Sequence, residues 1–365
     1  MRSCDVLIVG GGPAGSSCAW ALRSSALDVV ILDKASFPRN KICGGWITPF
    51  VVKALEIDTA EYAQGRTLQP ITGFTVSAMG QREVPVAYSE PVSYGIRRCE
   101  FDEYLLRRSG AEVHEGEAFK SAQRNGSGWV VNDKFHAGLL VGAGGHFCPV
   151  VHWMGQRNGE NPVVAQEIEF EMDEQQAAEC KILPESPELY FCSDALGYGW
   201  VFRKDNYLNI GLGRLDQHKL SQHVSGLADF LRRSGKIAFD LPGRFAGHAY
   251  LLLGYSRRKI IADGVMLIGD SAGLAYPQSG EGIRPAVESG LIAAEVIQSA
   301  KSQYSQRNLE SYPKLLEQRL GGMTGLSMAK YLPQAFKSFC ARQLLKTERF
   351  CRNVVIEDWF LRNGS

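Results

Sequence analysis

At 365 residues, with 45% hydrophobic and 22% charged side chains, the chain has the size for two or three domains and the apolar content for a large core. A formal net charge of +1 gives no electrostatic ground for binding nucleic acid, and no run approaches the ~20 consecutive apolar residues that span a bilayer. Nine scattered cysteines without a C-x-x-C pair exclude a zinc knuckle by spacing and fit a secreted disulfide framework poorly, so a reducing cytoplasm is the default compartment.

The amino terminus enters a strand pattern within four residues, which leaves no room for a secretory leader. Residues 6–9 form an apolar strand, the turn Gly10-Gly11-Gly12-Pro13-Ala14-Gly15 follows, and residues 16–23 are helical. A second apolar strand, 29–32, ends on Asp33 and Lys34. This is G-x-G-x-x-G in a strand–turn–helix–strand setting. Gly10 permits the tight turn, Gly12 lets backbone approach a pyrophosphate, and Gly15 allows close helix–strand packing. The helix start offers free N–H groups to phosphate, and Asp33 offers a carboxylate to ribose hydroxyls.

Residues 39–45 read Arg39-Asn40-Lys41-Ile42-Cys43-Gly44-Gly45, a glycine-rich loop with one cysteine. That thiol is either a small buried hydrophobe or a group lining a site. Residues 93–113 contain Arg98-x-x-Phe101-Asp102 at the start of an amphipathic helix, and 139–150 contain Ala143-Gly144-Gly145 after an apolar strand. The seven histidines form no spaced cluster; His146 and His152 read as surface or internally satisfied groups, and no metal site is expected. Residues 163–170 alternate as a strand, and the stretch 151–190 carries no recognisable motif.

Residues 197–213, GYGWVFRKDNYLNIGLG, place Tyr198, Trp200 and Phe202 at alternate positions, on one face of a strand. Such a face is core packing or the wall of an apolar pocket. Residues 265–283 contain a buried strand ending in Gly269-Asp270, then Pro277-x-x-Gly280-Glu281-Gly282-Ile283 at a helix start. From 285 onward the pattern is helical, and 321–365 hold seven Lys/Arg against three acidic residues among Met, Leu, Phe and Trp359. That is either a solvated helical cap or a basic amphipathic surface for an anionic membrane.

The first fingerprint together with Gly269-Asp270 resembles the p-hydroxybenzoate hydroxylase class of FAD proteins. There a G-D motif is the second cofactor signature and the R-x-x-F-D arginine, here Arg98, sits beside the cofactor. The class's A-D-G is Ala143-Gly144-Gly145 here, which removes a carboxylate associated with nicotinamide handling. Within the class, Arg39-x-Lys41-x-Cys43-Gly44-Gly45, the P-x-x-G-E-G-I loop and Tyr198-x-Trp200-x-Phe202 followed by Gly211-x-Gly213 resemble the geranylgeranyl reductase family. Arg203 stands where that family has proline.

The resemblance implies an α/β protein, α+β overall. A Rossmann-like FAD-binding domain of the glutathione reductase/p-hydroxybenzoate hydroxylase type would be formed by 1–70, 95–155 and 255–310. An antiparallel β-sheet substrate domain would comprise 71–94 and 156–254, with a C-terminal helical cap over 311–365. It further implies non-covalent FAD held by Gly10, Gly12, Pro13, Ala14, Gly15, Asp33, Lys34, Lys41, Cys43, Gly44, Arg98, Gly269, Asp270, Gly280, Gly282 and Ile283. Tyr198, Trp200, Phe202 and Arg203 would meet a long apolar substrate, and Cys43 and Glu281 enter as catalytic candidates. NAD(P)H or a small electron-transfer protein would supply electrons. The expected activity is reduction of carbon–carbon double bonds of an isoprenoid in the cytoplasm, with peripheral membrane contact as an option. A flavin monooxygenase or halogenase and a non-catalytic redox sensor are the alternatives; the halogenases' W-x-W-x-I-P motif is absent.

Overall fold

The computed structural model describes residues 1–156, 160–216, 219–321 and 333–362. The chain divides into two compact units, Met1–Asn40 with Cys99–Asn161 and Tyr250–Gly325, and Lys41–Arg98 with Pro162–Ala249 and Leu326–Ser365.

The first unit is built on strands whose residues are apolar on both faces. Arg2–Val9 lies between Phe135–Gly142 and Val29–Asp33, parallel to both, and Val265–Leu267 and Glu112–Glu115 extend the parallel sheet outward. Continuous runs such as Val6 to Val9, Leu139 to Val141 and Val265 to Leu267 are buried, as a sheet covered on both faces requires. Ile261–Ala262 closes one edge antiparallel, and the hairpin Ala122–Asn125/Gly128–Val131 joins Phe135–Gly142. Helices Pro13–Leu22 and Ile283–Ser299 cross at a glycine: a Cβ on Gly290 would lie 2.5 Å from the Ala14 carbonyl oxygen.

The second unit carries a seven-stranded sheet, ordered Ala246–Tyr250, Val163–Glu171, Tyr207–Arg214, Gly197–Lys204, Glu188–Phe191, Gly73–Ala78, Val84–Ala87. Val163–Glu171, Tyr207–Arg214, Gly197–Lys204 and Glu188–Phe191 pair antiparallel in turn, Glu188–Phe191 runs parallel to Gly73–Ala78, and Gly73–Ala78 pairs antiparallel with Val84–Ala87. One face packs Ile168, Tyr190, Val201, Leu208, Ile210 and Leu212 against Leu220, Val224, Leu227 and Leu231 of helix Leu220–Arg233. A small sheet of Trp46–Ile47, Ser93–Ile96 and Leu68–Ile71 belongs to the same unit.

Apart from shifts of a few residues at 95–98, 156–161 and 250–254, these bounds differ from the sequence division in two places. Residues 41–70, expected with the cofactor domain, pack with the second unit, because their strands pair with Ser93–Ile96. The expected cap is divided: Ser311–Leu320 belongs to the first unit, and Gln334–Leu344 and Phe350–Leu361 to the second. Residues 322–332 and 363–365 of that cap lie outside the described residues.

Candidate functional site

In the first unit, the carboxyl ends of neighbouring parallel strands gather the fingerprint residues on one sheet edge, where open α/β sheets bind ligands. Gly10 leaves its strand at φ +117°, and a Cβ there would lie 2.5 Å from the Ala143 carbonyl oxygen. A Cβ on Gly15 would lie 2.0 Å from the Gly10 carbonyl oxygen, so only glycine lets this helix start so close to its strand. Pro13 opens the helix, where a missing N–H costs nothing, and Gly12 gives the helix no side-chain cap. Asp33 accepts from the Gly11 amide at 2.8 Å and from the Ala35 amide at 2.9 Å, which fixes the turn. Lys34 is exposed.

The second signature meets the same place. Gly269, at φ +62°, would carry a Cβ 2.8 Å from that of Ala14, and Asp270 follows within a short 3₁₀ turn. A Cβ on Gly282 would lie 3.2 Å from Asp270 Oδ1, and Ile283 begins the next helix, also without a side-chain cap. Gly280 has φ +69° with the Tyr250 hydroxyl 2.5 Å from its Cβ position, so the P-x-x-G-E-G-I loop tolerates no side chain there. Glu281 is half-buried, and its carbonyl accepts from the Tyr276 amide.

These residues fit a dinucleotide: two uncapped helix starts, glycines whose Cβ would intrude, and Asp33 and Asp270 at the carboxyl ends of two parallel strands of one sheet. Arg39 adds a cation. Its Nη2 lies 3.4 Å from the Cβ position of Gly12 and 3.1 Å from the fully buried carboxylate of Asp102. Asp102 thus gives R-x-x-F-D a structural meaning that the sequence left open, while Arg98 is a buried residue opening helix Arg98–Arg107. Sequence reasoning missed Arg258. It is buried, pairs with Glu160, and donates to the carbonyls of Ser271 at 2.8 Å and of Asp270 and His146 at 3.3 Å. It also missed Glu288, which accepts from the Tyr276 hydroxyl at 3.0 Å and pairs with Arg284 and Arg319, bracing the loop before Ile283.

In the second unit, the sheet face away from helix Leu220–Arg233 carries Glu167, Glu169, Trp200, Phe202, Lys204 and Asn209. Gly211 stands directly between Glu167 and Trp200 across the two strand pairs. A Cβ on Gly211 would lie 2.2 Å from Trp200 Cζ2 and 2.8 Å from the Glu167 Cβ, so the indole occupies the space of the missing side chain. The loop 41–45 sits on this row. A Cβ on Gly44 would lie 3.3 Å from Trp200 Nε1, and Gly45, at φ +66°, would place one 2.2 Å from the Ile96 carbonyl oxygen.

Polar groups beneath the loop hold its backbone. Fully buried Lys204 donates to the carbonyls of Gly44 at 2.9 Å and Ile96 at 3.0 Å and pairs with Glu169. Asn209 accepts from Trp200 Nε1 at 2.8 Å and donates to the Cys43 carbonyl at 3.2 Å. The Cys43 amide donates to Glu167 Oε1 at 2.5 Å. Glu167 is 5% exposed, and burial pushes its carboxyl up to about 7 against the opposing pull of the Cys43 amide and of Lys204 and Lys41. Its Oε2 has no hydrogen-bond partner among the described residues. Lys41 Nζ stands 3.0 Å from the His248 ring.

Of the expected substrate residues, Trp200 and Phe202 are buried and Tyr198 is half-buried, joined to Trp46 and Phe360 by ring contacts of 5.2–6.3 Å. Arg203 is not brought together with them. Alternation sends it to the opposite face, where it donates to the carbonyls of Ala177 and Cys180.

Comparison with known proteins follows the same lines. The NAD(P)-binding Rossmann-like domain family matches residues 8–62. A menaquinone reductase of Mycobacterium tuberculosis is 31% identical over 90% of this chain and 83% of its own length. The digeranylgeranylglycerophospholipid reductase 3 of Methanosphaera stadtmanae is 28% identical over 88% of this chain and 84% of its own. Among solved structures, a geranylgeranyl bacteriochlorophyll reductase-like protein of Thermoplasma acidophilum superposes with a TM-score of 0.74 at 21% identity, covering 94% of this chain and 88% of that one.

Proposed function

The chain belongs to the geranylgeranyl reductase family of FAD-dependent oxidoreductases, and on that premise we propose that it reduces carbon–carbon double bonds of an isoprenoid or similarly long apolar substrate. The observation that carries the reading is the meeting of two distant signatures: the Cys43-Gly44-Gly45 loop lies on the Trp200–Gly211 pair, so cysteine, indole and glycines form one local object. The names of the relatives, a menaquinone reductase and a digeranylgeranylglycerophospholipid reductase, support a substrate with an isoprenoid chain.

Bound FAD, once reduced, supplies the hydride for such a double bond. The glycine turn, Asp33, Arg39 and Asp270 are the groups of this chain that would hold it, through backbone amides, a guanidinium and carboxylates. Cys43 is the proposed proton source for the second alkene carbon, its loop backbone fixed by Lys204, Asn209 and Glu167. Trp200 and Phe202 give that loop an apolar floor, and Tyr198 continues the same face. Electrons come from an external donor, NAD(P)H or a small electron-transfer protein.

Peripheral membrane contact is part of the proposal. Helix Gln334–Leu344 buries none of its residues, exposes Phe336, Phe339 and Leu344, and carries Lys337 and Arg342 with no acidic residue. An anionic lipid surface complements both features.

The test is anaerobic. Photoreduced holoprotein mixed with geranylgeraniol should reoxidise its flavin while the alcohol gains two mass units per double bond reduced. A flavin that stays reduced with unchanged geranylgeraniol, and is reoxidised only when oxygen is admitted, would favour the halogenase or monooxygenase alternative.

A further inference from the structure

We propose that Glu167 is a positioning residue for Cys43: its carboxyl holds the Cys43 amide on the sheet and so sets where the thiol stands. Three observations support this. The strand that carries Glu167 pairs with Gly211, whose missing side chain is replaced by the Trp200 ring, and Gly44 of the loop rests on the nitrogen of that ring. Glu167 Oε1 takes the Cys43 amide at 2.5 Å, a bond that joins residues 124 positions apart. The second oxygen is buried without a hydrogen-bond partner among the described residues, an arrangement that costs free energy and gives no packing benefit.

The charged and titratable groups around Glu167 are Lys204 on strand Gly197–Lys204, Glu169 on its own strand, and Lys41 and Cys43 on the loop, with His248 behind Lys41. Lys204 directs its three donors to the Gly44 and Ile96 carbonyls and to Glu169, which leaves none of them for Glu167. Burial raises the Glu167 carboxyl to about 7, so the closed loop favours its neutral form, and opening the loop to water favours the charged one. The grip on Cys43 therefore loosens as pH rises. The importance of that grip for turnover rests on the proposed reductase reaction; the grip itself does not.

Hydrogen exchange and thiol labelling of the FAD-loaded protein test it without any substrate. In the wild type, protection of the Cys43 amide, corrected for intrinsic rate, should fall about tenfold or more between pH 5.5 and 8.5, because opening the loop returns the raised carboxyl to water, where its charged form is favoured. Glu167→Gln keeps an acceptor and should hold protection level across that range. Glu167→Ala should lose about tenfold protection at Cys43 and speed its alkylation by iodoacetamide, read on the Cys43 peptide, with Tyr207–Arg214 amides unchanged. Wild-type pH dependence persisting in Glu167→Gln overturns the proposal. So does a Glu167→Ala variant that loosens Tyr207–Arg214 as much as Cys43, which would make the carboxyl a general brace of the sheet. Should exchange behave as expected while geranylgeraniol is not reduced, the reductase reading fails and the positioning role stands.

Discussion

Replacing Glu167 by glutamine should make the protein more stable at pH 8 and leave it nearly unchanged at pH 5. The carboxyl titrates at about 7 in the folded chain against an ordinary value of 4.5, chiefly because burial disfavours its charged form. A raised carboxyl pKa means that the folded state binds the proton more tightly than the unfolded state. Its contribution to stability is therefore complete below pH 4.5, declines as pH rises toward 7, and stays lost above that. At ~1.36 kcal/mol per pH unit, the full loss is about 3 kcal/mol. Glutamine has nearly the same shape, can accept the Cys43 amide, and never ionises, so it escapes the loss. With ~2–4 °C per kcal/mol for a domain of roughly 150–250 residues, the variant should melt roughly 6–12 °C above wild type at pH 8.

The measurement is a pair of thermal scans by tryptophan fluorescence, wild type against Glu167→Gln, at pH 5 and pH 8. Only the change in their difference matters, because every other titrating group cancels in it. A difference that stays within about 1 °C between the two pH values would refute the reasoning: Glu167 would then be ionised at no cost throughout, its charge met by Lys204 and Lys41.

Other outcomes follow from the same geometry. Lys204→Met should cost about 3–5 kcal/mol, since it leaves the Gly44 and Ile96 carbonyls without their ammonium and Glu169 with only Arg97 and Asn209, and the double variant with Glu169→Gln should recover part of that in urea unfolding. Gly211→Ala should destabilise by about 1–3 kcal/mol because its methyl would enter the Trp200 ring, and Gly211→Ala paired with Trp200→Leu should be less damaging than either expectation summed, by the same assay. Asp270→Ala should weaken FAD binding by about 1.5–3 kcal/mol, read by flavin fluorescence on titration, while mild acid releases all flavin from the wild type. Phe336→Ser with Phe339→Ser should abolish co-sedimentation with vesicles containing phosphatidylglycerol while melting temperature and flavin content stay unchanged.

The cofactor half of the molecule was legible in the sequence because its demands are local. A glycine that must leave its strand at φ +117° and another that must admit a carbonyl at 2.0 Å leave a fixed spacing in the chain. The apolar strands between them are buried on both faces and so read as unbroken runs. The polar knot under the loop was not legible. Glu167 and Glu169 sit in an alternating strand whose charged positions look like an ordinary solvent face, and nothing in VVAQEIEF says that a loop covers that face. Arg203 shows the converse: its place within a signature suggested a site role, but one step along the strand turned it to the other side.

What the fold adds is a reason for the family's G-x-G. In the sequence Gly211 is only a member of a signature; its partner across the strand pair is Trp200, and the indole lies in the space a side chain would fill. Flattening that spot does two things together. It lets Trp200 reach Asn209 with its ring nitrogen, and it lowers the loop until Cys43 offers its carbonyl to Asn209 and its amide to Glu167. One missing methyl thus governs how both backbone groups of the cysteine are bound. Tryptophan, glycine and cysteine must therefore change together: enlarging Gly211 alone displaces the indole, and through Asn209 the disturbance reaches the one thiol in the loop.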